Sequence, residues 1–143
     1  MIGAAMGTII DFIKLPNEEA MISRLLVYLK KIKEIVEPQS ISKEIADELL
    51  TCKPERRSMK LEQIFNKVLD RYPDGVTIKD IDVMFNPDYK VDVLKILIAA
   101  RKRKRYSVIW PGRLEDGKLI YSEEGYPDYK VYKIADYDIT CVR

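Results

Sequence analysis

The chain contains no histidine, and that absence removes more chemistry than any other feature of its composition. Ser-His-Asp and Cys-His nucleophiles, imidazole-ligated metals and imidazole acid–base catalysis are all unavailable, which leaves carboxylate, lysine, tyrosine or metal-on-carboxylate chemistry. Cysteine is scarce. Cys52 and Cys141 stand far apart and form no C-x-x-C pair, so neither a zinc site nor a redox motif is spelled, and a reducing, cytoplasmic setting is expected. Long apolar runs are missing as well: no stretch reaches the roughly 18 residues of a membrane helix. The opening Met1–Thr8 lacks the basic start of a signal peptide, so neither export nor membrane insertion is expected. No G-x-x-x-x-G-K-[S/T] phosphate loop occurs anywhere.

What is present describes a globular protein. A length of 143 residues fits one domain over 1–143, large enough to bury a core without a metal or disulfide. Hydrophobic residues make up 47% and charged residues 34%, and a formal net charge of +2 leaves the question of an anionic partner to the distribution of charge.

Along the chain, Thr8–Ile13 reads as a short strand, and Pro16 then breaks it. Asn17 is placed to cap a helix with Glu18 and Glu19 in its first turn and Ile22, Leu25, Leu26, Leu29, Ile32 and Val36 on one face. After Pro38, Ser40 or Ser42 can cap a second helix with Ile45, Leu49 and Leu50 inward. A third helix carries Leu61, Ile64, Phe65, Val68, Leu69 and Tyr72 in one stripe and stops at Pro73-Asp74-Gly75. Val76-Thr77-Ile78 opens a β-prone segment running towards Phe85, and Asn86-Pro87-Asp88 turns the chain into a helix that is apolar almost all round, from Val91 to Ala100. Tyr106–Trp110 reads as a strand, Glu115-Asp116-Gly117-Lys118 as a hairpin turn and Leu119-Ile120-Tyr121 as its return arm. Tyr129–Ile134 is β-like, and Asp136–Val142 reads as an edge strand. The pentapeptide Pro-Asp-Tyr-Lys-Val occurs at 87–91 and 127–131, once in a helical and once in a β-like context, and is taken as coincidence.

Three stretches in order carry a resemblance: Ile41–Leu50 with Arg56–Leu61; Asp82–Pro87 with Tyr89, Asp92 and Leu94; and Trp110-Pro111-Gly112 through Gly117–Tyr121 to Gly125–Tyr129. Together they resemble the BrxF family, small P-loop proteins of the BREX phage-defence systems, over residues 40–143, with 1–39 a divergent N-terminal part. The resemblance implies an α/β fold, a P-loop NTPase-like remnant parallel sheet flanked by helices with a C-terminal β-hairpin. Family members hold phosphate on a glycine-rich loop at a helix N-terminus. Here the nearest fragment, Gly3-Ala4-Ala5-Met6-Gly7-Thr8, lacks the lysine. In an ungapped reading Lys79 stands where a magnesium-organising aspartate belongs, and its charge would repel the metal. Asp80 and Asp82 are the remaining candidates for nucleotide or metal contact, with turn or surface carboxylates as the plainer account. No catalytic residue, no metal site and no cofactor beyond vestigial ATP or magnesium binding is expected. The resemblance thus implies a non-hydrolysing protein that acts by association in, or on, a BREX-type complex.

For a partner, whether a protein subunit of such a complex or a DNA backbone, the candidate surface is Arg101-Lys102-Arg103-Lys104-Arg105 with Arg113 and Lys118. The cations at the end of a helix also complement its dipole. Trp110 and Tyr106 can stack on bases or pack in the core. Two other fold classes compete. A winged-helix DNA-binding domain would make Leu61–Tyr72 its first helix, Thr77–Phe85 its second, Tyr89–Arg103 its recognition helix and Tyr106–Tyr121 its wing. A PD-(D/E)xK-like nuclease would use Asp88, Asp128 and Lys130 around a metal.

Overall fold

The computed structural model describes residues 7–11, 24–29 and 37–143. Its frame is a six-stranded sheet in which every pairing is parallel. The strands are β1 (Thr8–Ile10), β2 (Leu25–Tyr28), β3 (Gln39–Ser40), β4 (Val76–Lys79), β5 (Tyr106–Ile109) and β9 (Ile139–Val142), in the spatial order β1-β9-β2-β5-β4-β3. Parallel strands with both faces covered read as unbroken apolar runs. Leu25-Leu26-Val27-Tyr28 is such a run, Ile139-Thr140-Cys141-Val142 is broken only by the buried Thr140, and Val27 sits in register between Val108 and Cys141.

This arrangement corrects two expectations. Leu25 and Leu26 belong to a central strand and Leu29 lies just past its end, not in a helix from Asn17 to Val36; the remaining expected members of that face, Ile22, Ile32 and Val36, lie outside the described residues, as do Phe12, Ile13 and Pro16. The run fits either period, and the sheet decides it, because β2 is hydrogen-bonded on both sides. The C-terminal segment is likewise no edge strand: β9 lies between β1 and β2, and all its residues are buried.

Among the described residues, three α-helices flank the sheet, α1 (Ser42–Leu50), α2 (Arg57–Leu69) and α3 (Val93–Arg101). The α2 stripe is buried as its periodicity requires, through Leu61, Ile64, Phe65, Val68 and Leu69. On α1, Ile45 and Leu49 face inward, but Leu50 is 70% exposed. Its N-cap is Ile41, with no side-chain cap, so neither Ser40 nor Ser42 fills that role. α3 is capped by Asp92, whose carboxylate accepts from the Lys95 amide at 3.0 Å, and buries Val93, Leu94, Ile96, Leu97 and Ala100. Across α1 and α2, Arg71 bridges Glu44 at 2.9 Å and Glu48 at 2.8 Å, while the Tyr72 hydroxyl donates to Glu44.

The β-prone segment towards Phe85 divides in two. β4 ends at Lys79, Asp80 takes a left-handed conformation (φ 61°), and Ile81–Phe85 forms a 3-10 helix that buries Ile81, Met84 and Phe85. Thr77–Phe85 is therefore not the second helix of a winged-helix domain. The wing is absent too, because its expected first arm, β5, pairs in parallel with β2 and β4. Asn86-Pro87-Asp88 starts only a second 3-10 turn, Pro87–Tyr89, before α3 begins.

The hairpin near the C-terminus is part of a separate three-stranded antiparallel sheet, β6 (Arg113–Glu115), β7 (Lys118–Tyr121) and β8 (Lys130–Lys133), in that order. Its first arm is Arg113–Glu115, not Tyr106–Trp110. Asp116 (φ 49°) and Gly117 (φ 73°) both take the positive φ that a two-residue turn of this hand demands. Aromatic rings join the two sheets: Phe85 stacks on Tyr121 with centroids 3.9 Å apart, and Trp110 meets Phe85 and Tyr132 edge to face at 5.6 and 5.7 Å.

Candidate functional site

In open parallel sheets, ligands bind outside the carboxyl ends of the strands. At that edge lies a crevice of about 460 Å³, within the usual range of small-molecule sites. Ile9 lies in β1, while Leu29 and Arg143 stand just past the ends of β2 and β9, where their amides donate to Val142 O (2.8 Å) and Ile10 O (3.1 Å). Gly112, Arg113, Leu114, Asp116 and Gly117 form the opposite wall.

The cations of this crevice are already satisfied from within. Arg113 donates to Ser122 O at 3.0 Å and to Glu123 Oε1 at 3.3 Å and pairs with Glu115, whose hydrogen bond holds the guanidinium pKa above its ordinary value. Arg143 Nε pairs with Asp11 at 2.8 Å. An anion entering here would compete with carboxylates for both guanidinium groups.

Asp80 and Asp82 do not line the crevice. Both are exposed, and Asp82 accepts from the Tyr121 hydroxyl at 3.1 Å, an interaction that ties the 3-10 helix after β4 to the small sheet. Burial and the Asp82 charge push the Tyr121 hydroxyl well above its ordinary pKa. Asp88 is exposed in the Pro87–Tyr89 turn, and Asp128 accepts from Ser122 Oγ at 2.6 Å. Among the described residues, no group of three or more Asp, Glu, Cys or His side chains could hold a metal ion. Cys141 is buried in β9, and burial pushes its thiol up to about 12, far from the range of a nucleophile.

The basic run divides by function. Arg103 pairs with Asp70 at 2.7 Å and donates to Asn66 Oδ1 at 3.1 Å, so it staples the end of α3 to the end of α2. Lys104 is almost covered and donates to the Tyr72 carbonyl, an unpaired acceptor beyond α2. Arg101 is half-buried, and desolvation followed by repulsion from Arg105 lowers its pKa. Lys102 and Arg105 are exposed and make no ion pair among the described residues. Five sequential cations therefore contribute two free charges to solvent at this corner, plus the partly sheltered Arg101.

Lys118 has company that sequence reasoning missed. It stands directly opposite Lys133 across β7 and β8, with Lys130 three residues earlier on β8. None of the three makes an ion pair among the described residues. The signal was present in Lys-Val-Tyr-Lys, but register is needed to bring Lys133 beside Lys118.

Trp110 and Tyr106 are packing residues. The Trp110 indole N–H donates to Ile120 O at 3.0 Å, and the buried Tyr106 hydroxyl donates to Leu97 O. Gly7, the last glycine of the Gly3–Thr8 fragment, also has a packing role: a Cβ there would lie 1.9 Å from Ile134 O. Gly3 is outside the described residues. No family model, curated protein or solved structure matches the chain.

Proposed function

We propose that this chain is a non-hydrolysing, BrxF-like P-loop-type protein that works by association in, or on, a BREX-type phage-defence complex. The observation that carries the proposal is the sheet. Counted from β2, its strands run fifth, first, fourth, third, second in space, with β1 added outside the fifth. This order supports a P-loop layout, in which β2 takes the place of the strand that leads into the phosphate loop. The segment after β2 is Leu29-Lys30-Lys31-Ile32-Lys33-Glu34-Ile35-Val36-Glu37-Pro38, and no glycine occurs between Gly7 and Gly75. A phosphate cradle needs backbone N–H groups brought close by glycine. The strand that would carry the metal-linked carboxylate ends in Lys79, followed by the exposed Asp80.

A scaffold of this build without its phosphate-binding parts can still present surfaces. The free cations at Lys102, Arg105, Lys118 and Lys133 supply the charge for an acidic protein partner. The test has two arms. Purified protein is assayed for magnesium-dependent ATP hydrolysis and for binding of a fluorescent ATP analogue, and is co-expressed with the subunits of a BREX-type complex and purified by a tag. Background hydrolysis together with stoichiometric co-purification is expected. Robust hydrolysis lost in Asp82→Ala, or no co-purifying subunit, overturns the proposal.

A further inference from the structure

The outer edge of β8 is an open hydrogen-bonding rail with an unusual set of charges. The Ile134 amide donates to Gly117 O at 3.0 Å, and Lys133 lies opposite Lys118. In an antiparallel ladder hydrogen-bonded and non-hydrogen-bonded pairs alternate. Tyr132/Leu119 and Lys130/Tyr121 are thus hydrogen-bonded pairs, and Val131/Ile120 and Lys133/Lys118 are not. The N–H groups of Val131 and Lys133 and the C=O of Val131 consequently point away from β7, while the Lys133 C=O opens the Ile134–Asp136 3-10 helix, and among the described residues β8 is the last strand of its sheet. The side chain there is open as well: Val131 is 42% exposed.

Lys118 and Lys133 form a like-charged pair at the closer of the two spacings, an arrangement that costs stability in a sheet. Glu115 lies opposite Lys118 on its other side, but it is engaged by Arg113. Lysines on an edge strand guard against pairing with a second copy, since β8 laid against β8 brings ammonium groups together. The same charges favour an incoming strand of opposite sign.

We infer that β8 is a docking edge for an extended acidic segment of a protein partner, which adds as a fourth strand to the small sheet. The inference rests on the reading of the chain as an association protein and names the surface used. Strand addition takes its affinity from main-chain hydrogen bonds and its specificity from alternate side chains. Complementing Lys130-Val131-Tyr132-Lys133 calls for acidic residues at the two ends and apolar residues between them, as in Glu-Val-Ile-Glu.

The probe is a fluorescein-labelled peptide, Gly-Glu-Glu-Val-Ile-Glu-Glu-Gly, titrated into the protein by anisotropy and by amide NMR. Saturable binding is expected, with shifts largest at Val131 and Lys133. The affinity should fall at least tenfold when the peptide carries N-methyl groups on the amides that face β8, or when its glutamates are replaced by lysine. These peptide-side changes leave the protein fold untouched, and the protein variant Lys118→Glu/Lys133→Glu should show the same loss. No saturable binding, or equal binding of the N-methylated peptide, overturns strand addition. If the peptide fails while the chain still assembles with its complex, this inference falls and association stands. If the peptide binds as described and no complex forms, the edge stands and the proposed function falls.

Discussion

The Trp110 indole N–H donates to the Ile120 carbonyl at 3.0 Å, so the residue that follows β5 of the large sheet is tied to β7 of the small one. The bond runs beside Gly112, where a Cβ would lie 1.9 Å from the same carbonyl oxygen and 2.9 Å from Trp110 Nε1. Trp-Pro-Gly is thus a joint. The indole supplies the donor, the glycine allows the close approach, and the Phe85, Tyr121 and Tyr132 rings fill the surroundings.

Trp110→Phe keeps most of the ring but removes the indole donor to the Ile120 carbonyl, at a cost of about 0.5–1.5 kcal/mol for the lost hydrogen bond. Trp110→Ala removes the ring as well, and the expected loss rises to about 3–5 kcal/mol. Gly112→Ala must displace backbone and is expected to cost at least as much as the Phe variant. Urea denaturation followed by far-ultraviolet circular dichroism ranks the three. A Gly112→Ala protein as stable as the wild type would refute the close approach.

Glu44 is held below its ordinary pKa of 4.5, first by the hydrogen bond from Tyr72 and then by Arg71. A lowered folded-state pKa gives stability that is fully present above the unfolded value and disappears as pH falls through the folded one. Glu44→Gln should therefore lower the melting temperature at pH 7, and the gap to wild type should close progressively below pH 4.5. A gap of constant size from pH 7 to pH 3 would show that the charge of Glu44 is not what stabilises the α1–α2 contact.

Within the basic run, Lys104 and Lys102 should behave oppositely. The Lys104 side chain is only 11% exposed and caps the Tyr72 carbonyl, so Lys104→Ala is expected to cost about 1–3 kcal/mol. Lys102→Glu with Arg105→Glu touches no internal partner and should stay within about 0.5 kcal/mol of wild type. Reversing all of Arg101–Arg105 would mix a folding defect with a binding defect. Salt-dependent partner binding is best measured on the Lys102/Arg105 pair, with thermal melts as the control for folding.

What the sequence determined by itself was local. The 3.6-residue stripe of α2, the all-round apolar α3, the strand Tyr106–Ile109 and the Asp116-Gly117 turn follow from short-range pattern and turn chemistry. The lack of histidine and of a phosphate-loop motif was equally plain. Only the tertiary structure decided the rest, because partners distant in sequence set it. Leu25–Tyr28 is a strand because β5 and β9 supply its hydrogen bonds, and Ile139–Val142 is interior because β1 covers its other side. Arg103 and Lys104 are consumed by groups at the end of α2, and Lys118 meets Lys133 through the register of β7 and β8. Each of these turns on which backbone or charge lies across a gap of many residues, and the pattern of neighbours along the chain carries no record of it.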